Sequence, residues 1–479
     1  MMPLVIYNTM TGRKQPFVPL EEGRVNIYAC GPTVYDDSHI GHARAVVVFD
    51  VLVRHLESLG LEVTYVRNFT DLDDKIIQRS QEQGVDYLDL AERYIQSFHE
   101  DMDALGNLRP AMEPRATEHI KDMIADIQAL MAKGCAYQVG GDVYYEVASF
   151  PAYGRLSGRN PEDLKAGARI EINELKRSPL DFALWKESKP GEPKWSSPWG
   201  EGRPGWHLEC SVMCNQYLGP EFDIHGGGHD LVFPHHENEI AQAVPLGRKF
   251  ARLWMHNGFV RIDKQKMSKS LKNFFTVKEI LERFHPEVLR LFLLSTHYRG
   301  PLDFSDEALE KTGRGLDRAY RALLEAGKIE PGSDQTAPDS GMSELDSRFR
   351  AAMDDDLNTA RAIGCIFEGV RELNRLLGQA KTKAPNIEKI KAWSTAITNM
   401  GRVLGILGLD PAEYFSPKQD AALAGAGLTP GMIEDLVQAR SEARTRKDWT
   451  EADRIRDELK NQGVVLEDTG GRTQWRVEA

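Results

Sequence analysis

A strand–helix–strand pattern near the amino terminus predicts the fold class of this chain. Its parts are VNIYAC at residues 25–30, GHARAVVVFDVLVRHLESL at 41–59 and VTYVRNF at 63–69. Apolar residues recur every three or four positions through the middle segment, as on the buried face of a helix, and Gly60 then predicts a helix stop. The β-prone runs on either side complete a βαβ unit, whose two strands are parallel. We therefore expect an α/β fold.

Composition predicts a globular protein. The 479 residues are 41% hydrophobic and 28% charged, a length that suggests about three domains. The net charge of −12 leaves a nucleic-acid partner open, because a local basic face suffices to bind phosphates. We expect no membrane span, no signal peptide and no disulfide framework from five cysteines. These features exclude secreted, membrane and collagen-like classes and predict a cytoplasmic, reducing location.

The motif His39-Ile40-Gly41-His42 lies between the first strand and the helix. A helix amino terminus at this place offers free N–H groups and a favourable dipole to a phosphate. Gly41 would let a nucleotide approach the backbone, and the two imidazoles could donate to a phosphoryl group in transfer. Taken alone, the motif is more often a pair of loop histidines that cap a helix.

A second motif is Lys266-Met267-Ser268-Lys269-Ser270. Two lysines three residues apart, between small hydroxyl residues, suit a clamp that neutralises a triphosphate. Taken alone, such a pair is usually a solvated face. Together, the two motifs stand in order at the ends of two α/β halves, and this arrangement resembles the class I aminoacyl-tRNA synthetases.

Longer motifs resemble one family within that class, the cysteinyl-tRNA synthetases. They are YACGPTVYD at 28–36, leading into HIGHAR at 39–44, GWHLECS at 205–211, DIHGGG at 223–228, FPHHENE at 233–239 and WMHNGF at 254–259. The match runs from about residue 5 to residue 296 and continues more loosely to the end. The sequence departs from the family pattern at two positions. Lys272 stands where glycine is also common, and Ser178 where an acid is often found. Neither position belongs to the expected catalytic or binding residues.

The resemblance implies one zinc ion. Its ligands would be Cys30, Cys210, His235 and Glu239. If they lie on one helix, the last two, at i and i+4, face the same point. The residues alone leave core cysteines and surface histidines as an alternative. They also leave neighbouring ligands open: Cys214, His225, His229 and His236. Zinc prefers a thiolate to an alcohol, so the metal would select cysteine over serine without an editing domain, whereas shape alone separates near-isosteres only about a hundredfold.

The resemblance also implies the substrates and the remaining site residues. Thr70, Trp206 and His225 would line the cysteine pocket, and Asp230 would accept a hydrogen bond from the ribose of ATP. L-Cysteine would be activated with ATP and Mg²⁺ to cysteinyl-adenylate and then transferred to the terminal adenosine of tRNA(Cys). The residues expected to assist activation are His39, His42, Lys266 and Lys269, with Gly41 and Lys269 binding ATP.

The implied architecture is a Rossmann-like parallel-sheet catalytic domain with an inserted connective domain, followed by a helical bundle and a small anticodon-binding module. We predict the first catalytic half at 1–110, the insertion at 111–204, the second half at 205–296, the bundle at 297–410 and the module at 411–479. Nothing in the sequence suggests an obligate dimer, so we expect a monomer.

Four residues of the predicted module are candidate tRNA contacts: Arg440, Arg444, Lys447 and Trp475. The three basic residues are spaced to share one side of a helix, and single-stranded RNA loops stack on aromatic side chains. The alternative is a solvated helix, because basic and acidic residues mix throughout 440–460.

Two other functions remain open. A ligase resembling the cysteine:glucosaminyl-inositol ligase of mycothiol synthesis would activate cysteine identically and pass it to a sugar amine. Such a ligase has no need of an RNA-reading module after the catalytic half. A non-catalytic paralogue that binds RNA or stores zinc has no physical reason to retain the histidines, lysines and metal ligands together.

Overall fold

The computed structural model describes residues 3–160, 176–262, 265–266, 275–329, 340–380, 386–416, 428–469 and 472–477. The chain divides into two compact units. The larger unit comprises Met1–Asp317 and Gly332–Leu407, and the smaller comprises Arg318–Pro331 and Gly408–Ala479. No helix in the described ranges combines the length and the apolar character needed to cross a membrane.

Strands and helices alternate through the larger unit, and helices dominate its last part. The described strands are β1 (Val5–Asn8), β2 (Arg13–Pro16), β3 (Arg24–Ala29), β4 (Glu62–Arg67), β5 (Ala136–Val139), β6 (Asp142–Tyr145), β7 (Phe182–Glu187), β8 (Trp195–Ser197), β9 (Gly200–Pro204), β10 (Glu221–Gly228), β11 (Phe250–Asn257), β12 (Val260–Ile262), β13 (Gln265–Lys266), β14 (Leu302–Phe304), β15 (Val464–Thr469) and β16 (Arg472–Val477). The described helices are α1 (Ile40–Ser58), α2 (Asp74–Gln83), α3 (Tyr87–Ala104), α4 (Ile120–Ala132), α5 (Trp206–Leu218), α6 (Glu237–Ala243), α7 (Val277–Leu281), α8 (Pro286–Leu293), α9 (Asp306–Gly327), α10 (Ser340–Asp354), α11 (Thr359–Ala380), α12 (Ile387–Leu404), α13 (Pro430–Thr445) and α14 (Trp449–Asn461).

Four parallel strands form the central sheet of the larger unit, in the order β11-β10-β3-β4. β3, α1 and β4 are the predicted βαβ unit. Ile27 of β3 pairs with Tyr65 of β4 on one side and with Ile224 of β10 on the other. Phe49 of α1 packs against β10 so closely that a Cβ on Gly226 would lie 2.7 Å from its ring. The predicted α/β class with a parallel sheet is therefore confirmed.

The strand β10 continues through the triple glycine at 226–228. Only glycine fits there, because a Cβ on Gly226 would lie 2.0 Å from the carbonyl oxygen of Met255 on β11. The helix α6 begins at Glu237, after a 3-10 turn and a π-helical turn at Val232–His236. Phe233 has extended backbone angles, and Pro234 has no N–H with which to continue a helical ladder.

A five-stranded antiparallel sheet, in the order β5-β6-β7-β9-β8, occupies most of the region predicted as an insertion. The hydrophobic core beside it includes Tyr145, Leu184 and Trp185, which are completely buried. Large aromatic and aliphatic side chains drive this packing because they remove the most apolar surface from water.

The strand β12 pairs antiparallel with β13 and parallel with β14, which places a small sheet beside α7 and α8. Helices α10, α11 and α12 pack on one another in the larger unit. The described strands after Phe284 are β14 and the hairpin β15–β16.

The smaller unit contains α13, α14 and the antiparallel hairpin β15–β16. Its hydrophobic core consists of the buried side chains Leu428, Ile433, Ile455, Leu459 and Val464. Elsewhere in the same unit, Tyr320 of α9 stacks on Tyr414 with ring centroids 3.9 Å apart.

Candidate active site and metal centre

The residues predicted to carry chemistry gather at the carboxyl edge of the parallel sheet. Cys30 is the first residue after β3, Thr70 follows β4, and His225 lies in the second half of β10. In open parallel sheets, ligands bind beyond the carboxyl ends of the strands. The sheet topology therefore brings together residues that are about 200 positions apart in sequence.

Four of these side chains point their ligand atoms at one place. The Sγ atoms of Cys30 and Cys210 are 3.5 Å apart, and Cys30 Sγ lies 3.6 Å from Glu239 Oε1. The Nε2 atom of His235 is 3.0 Å from the same carboxylate oxygen. All four ligand atoms lie within 4.8 Å of one another, and three of the four residues are fully buried.

The separations of these atoms fit a tetrahedral zinc site. Around such an ion, two sulfurs would lie ~3.8 Å apart, and a sulfur and an oxygen ~3.6 Å apart. The observed 3.5 Å and 3.6 Å lie close to both values. The donor set of two thiols, one imidazole and one carboxylate is one that zinc accepts. The residues that the sequence resemblance selected therefore fit the metal.

Electrostatics in the cluster also favour a cation. Burial raises the pKa of Glu239, but His225 and His235 outweigh it and hold that pKa well below its usual range. Burial lowers the pKa of His235, but Glu239 and Cys210 outweigh it and raise that pKa to about 10. Burial raises the pKa of Cys210, but hydrogen bonds with Cys30 and His235 outweigh it and lower that pKa to about 6. Burial and Cys210 raise the pKa of Cys30 well above its usual value. A divalent cation would replace the protons that Cys30 and His235 carry.

A second group of ligands overlaps the first. Cys30, His225, His236 and Glu239 also place their ligand atoms within 4.8 Å of one another. His225 Nε2 lies 2.6 Å from Glu239 Oε2, and His236 Nε2 lies 3.3 Å from Cys30 Sγ. The other rivals named from the sequence, Cys214 and His229, belong to neither group among the described residues.

Supporting side chains orient the ligands of the first group. The Nδ1 atoms of His207 and His235 are 3.0 Å apart, and the ring of Trp206 stacks on His235 with centroids 4.4 Å apart. On the opposite side, His225 holds Glu239 Oε2 and leaves Oε1 directed at Cys30 and His235. Outer contacts of this kind fix the ring orientation and the basicity of metal ligands.

The His39–His42 pair caps helix α1. The Nδ1 atom of His39 accepts hydrogen bonds from the N–H groups of Gly41 (3.0 Å) and His42 (3.2 Å), and the two rings stack. Ile40 N–H donates to the carbonyl of Phe275, and Ala43 N–H to the carbonyl of His39. The expectation of free N–H groups for a phosphate is therefore wrong, because the protein itself satisfies the first turn of α1.

The lysine motif begins in β13 and precedes a segment that contacts this cap. Lys266 ends β13, where it pairs with Arg261 of β12, while residues 267–274, including Lys269, lie outside the described residues. The chain is described again at Phe275, and Thr276 then forms a backbone bridge with His39. The segment that follows the motif thus returns to the start of α1, and Lys266 itself lies in the small sheet of β12, β13 and β14.

The residues expected to line a cysteine pocket surround the ligand cluster. The hydroxyl of Thr70 donates to Glu209 Oε2 at 2.8 Å, and both side chains are buried. Trp206 is 37% exposed and covers His235, whereas His225 is completely buried and contacts Glu239. Asp230, expected at the ribose, is exposed in the 3-10 turn directly after β10.

Comparison with known proteins decides the family. Residues 16–314 match the class I tRNA synthetase (C) catalytic domain, 348–408 the DALR domain and 427–476 the cysteinyl-tRNA ligase anticodon-binding domain. The cysteine–tRNA ligase of Trichlorobacter lovleyi is 51% identical over 489 residues, covering 99% of this chain and 100% of the relative. That of Methylococcus capsulatus is 55% identical over 481 residues, with the same coverage. The chain belongs to the cysteinyl-tRNA synthetase family.

Solved structures of other class I synthetases share the fold of this cysteinyl-tRNA synthetase family member. The methionyl-tRNA synthetase of Mycobacterium tuberculosis in complex with methionyl-adenylate superposes with a TM-score of 0.59 at 16% identity, covering 85% of this chain and 94% of that one. A LeuRS of Agrobacterium radiobacter K84 gives 0.59 at 12% identity, covering 84% and 86%. The class I fold predicted from the two motifs is confirmed.

The cysteinyl-tRNA ligase anticodon-binding match covers the candidate tRNA contacts, but the structure changes their interpretation. Arg440 and Arg444 do share one side of α13, and both bind the carboxylate of Asp468, at 2.9 and 2.7 Å. Arg440 is buried by this contact, so the prediction that it lies on an open phosphate-binding face is wrong. Trp475 is half-buried against the core of the smaller unit. Lys447 is exposed but lies two residues beyond α13 with a φ of 60°, so the prediction that it shares a helical side with Arg440 and Arg444 is wrong.

Sequence reasoning missed several buried polar side chains around the cluster in this synthetase family member. Asn68 Oδ1 accepts from Gly31 N–H at 2.9 Å and lies 3.7 Å from Cys210 Sγ. His256 connects His236 to Thr9 through two 2.8 Å hydrogen bonds. Their signal in the sequence was placement inside the quoted motifs rather than any spacing of their own.

Proposed function

We propose that this chain activates L-cysteine with ATP to cysteinyl-adenylate and transfers it to the 3′-terminal adenosine of tRNA(Cys). We further propose that Cys30, Cys210, His235 and Glu239 hold the zinc ion that selects the substrate. The observation that carries the proposal is the convergence of these four ligand atoms within 4.8 Å. They converge at the carboxyl edge of the sheet in a member of the cysteinyl-tRNA synthetase family.

When bound, zinc would bind the cysteine thiolate and discriminate against the hydroxyl of serine. Cys30 and Cys210 would hold the ion as thiolates, and His207 and His225 would orient His235 and Glu239. Trp206 covers the exposed side of His235, so its indole would shield a bound amino acid from water. Thr70, whose hydroxyl is fixed by Glu209, would contact the same amino acid.

Activation requires that charge on the α-phosphate be neutralised while the cysteine carboxylate attacks it and pyrophosphate leaves. His39 and His42 lie at the start of α1, where His39 forms a backbone bridge with Thr276, six residues after Ser270 of the lysine motif. This bridge supports a joint role with Lys266 and Lys269. Gly41 and Asp230 would bind ATP, and Mg²⁺ would accompany its phosphates. The ribose hydroxyl of the terminal adenosine then attacks the carbonyl carbon, and AMP leaves.

The test measures transfer of labelled cysteine to purified tRNA(Cys) by zinc-loaded enzyme. We expect charging with cysteine and a preference over serine well above the roughly hundredfold that shape provides. A glucosaminyl-inositol acceptor is run in parallel, and charging of the sugar alone would overturn the tRNA assignment. Near-equal charging of serine would overturn the metal-selection role instead.

Three narrower predictions go with this function. The domain boundaries stated from the sequence, a monomeric state and a cytoplasmic location remain proposals. Lys447, Arg444 and Trp475 also remain proposed tRNA contacts in the smaller unit. Gel filtration with light scattering checks the monomeric state directly. Footprinting of tRNA on variants of Lys447, Arg444 and Trp475 checks the contacts.

A further inference from the structure

Arg44 is a completely buried side chain of α1, two residues after His42. Its Nη1 donates to the carbonyl oxygens of Gly258 (3.0 Å) and Phe259 (2.9 Å). Its Nη2 donates to a second segment, residues 296–300. One guanidinium thus joins the helix to backbone more than 200 residues away in sequence.

The second segment precedes β14. Nη2 of Arg44 donates to the carbonyl of Gly300 at 2.8 Å, the hydroxyl of Thr296 at 3.3 Å and the carbonyl of His297 at 3.4 Å. The two segments meet closely, because a Cβ on Gly258 would lie 2.4 Å from the carbonyl oxygen of Gly300. Arg44 therefore fastens both at their point of contact.

These two segments lead directly into the strands next to the lysine motif. Phe259 precedes β12, which pairs with β13, and β13 ends at Lys266. β14 pairs in parallel with β12. At the other end of the connection, Arg44 follows His39 by five residues and His42 by two. Arg44 thus connects the helix that carries His42 to the segments that lead into β12 and β14.

The charge of Arg44 has no carboxylate partner. No acidic side chain in the described ranges is ion-paired with it, and burial lowers the pKa of Arg44 to about 10. Backbone carbonyl dipoles and the hydroxyl of Thr296 oppose the charge. Packing by itself does not require a buried cation, since an apolar side chain fills the same volume at lower cost. The contacts of Arg44 require several directed donors on one rigid group, and the planar guanidinium of arginine supplies them.

We propose that Arg44 is a positioning residue for cysteine activation, which holds β12 and β14, and through β12 the strand β13 that ends at Lys266, in fixed register with the helix that begins after His39. The inference rests on the proposed activation function. A misplacement of about 1 Å between catalytic groups costs about a hundredfold in rate. Arg44 touches no substrate in this arrangement and acts through the placement of the two motifs.

The test replaces Arg44 with lysine, which keeps the charge but offers three donors without the planar fork. Arg44→Ala is the second variant. The matched control is Arg248→Lys, in the same unit, because Arg248 also uses two guanidinium nitrogens, at 2.6 and 2.7 Å from Asp126. Rates are measured by ATP–pyrophosphate exchange per titrated active site, so that loss of folded protein does not contribute.

We expect Arg44→Lys to lower kcat of exchange about 30- to 100-fold, with KM for cysteine within about twofold and Arg248→Lys near the wild type. In a Lys269→Ala background, Arg44→Lys should lower the rate less than about threefold, because the lysine amino group whose position Arg44 is proposed to fix is already absent. A normal rate per site, or an equal factor in both backgrounds, would overturn the role of Arg44. Absence of exchange by the wild type would overturn the proposed function itself.

Discussion

Two clusters of ionisable side chains, one in each unit, are arranged in opposite ways. In the larger unit, two cysteines, a histidine and a glutamate direct their lone pairs at one point. In the smaller unit, Arg440 and Arg444 direct their donors at the carboxylate of Asp468, so opposite charges pair. Lone-pair donors gathered in a buried space are stable only when they share protons or a cation.

The difference separates a binding site from a scaffold contact. The cluster around Glu239 needs a partner that the side chains themselves do not supply, whereas the Asp468 contact is complete within the protein. Sequence resemblance selected residues in both places for binding. In the first set the ligand atoms converge on one point, whereas in the second the guanidinium groups of Arg440 and Arg444 already bind Asp468.

The largest effect is expected when one ligand is removed. Cys210→Ala should weaken zinc binding about a thousandfold, since about 4 kcal/mol corresponds to three powers of ten, and should abolish measurable cysteine charging. The matched control is Cys214→Ala, because Cys214 is equally buried one turn later and lies in neither ligand group. Metal content by mass spectrometry and charging rates check both variants. Equal metal content in the two variants would contradict the ligand assignment.

Neighbouring histidines discriminate between the two overlapping ligand groups. His235→Asn should lower zinc affinity by more than about a hundredfold, because it removes a ligand. His236→Asn should lower it only about tenfold, as outer contacts do. Competition with a chromogenic chelator measures both affinities. The reverse order would assign the metal to the group containing His225 and His236.

Breaking the contact between Arg440 and Asp468 should lower the stability of the smaller unit and leave the rate of cysteine activation unchanged. Arg440→Ala is expected to destabilise the smaller unit by about 1–3 kcal/mol, because it leaves the Asp468 carboxylate without its buried partner. The exposed Arg446 provides the matched control, and Arg446→Ala should change stability by less than about 0.5 kcal/mol. Hydrogen exchange over α13 and β15 in the full chain measures both. Unchanged exchange with a loss of tRNA affinity would instead return Arg440 to the RNA-contact role.

The smallest effect concerns pH. The hydrogen bond from Arg440, with that from Thr473, holds the pKa of Asp468 below its usual range. The ionised carboxylate therefore contributes stability that is present above its ordinary pKa of about 3.9 and is lost as pH falls through the lower folded value. Titration of the Asp468 carboxyl by ¹³C NMR should show this low pKa, and Arg440→Ala should raise it towards the ordinary value while Arg444 and Thr473 still contact the carboxylate. An ordinary pKa in the wild type would contradict the contact.

Local patterns in the sequence were sufficient for the βαβ unit, because helix periodicity and strand propensity are properties of neighbouring residues. The kinked approach to α6 was not predictable in this way, since it depends on Pro234 and on the partners of β10. The capping of α1 by His39 and the binding of Arg440 to Asp468, 28 residues away, also depend on tertiary contacts. The four ligands were found by resemblance, and their convergence required the sheet topology.

X-ray absorption at the zinc edge tests the central claim most directly. The zinc-loaded enzyme should show two sulfur and two nitrogen or oxygen ligands, matching Cys30, Cys210, His235 and Glu239. Addition of L-cysteine should raise the sulfur count from two to three, and L-serine should leave it at two. An unchanged sulfur count with saturating cysteine would contradict selection of the substrate by the metal.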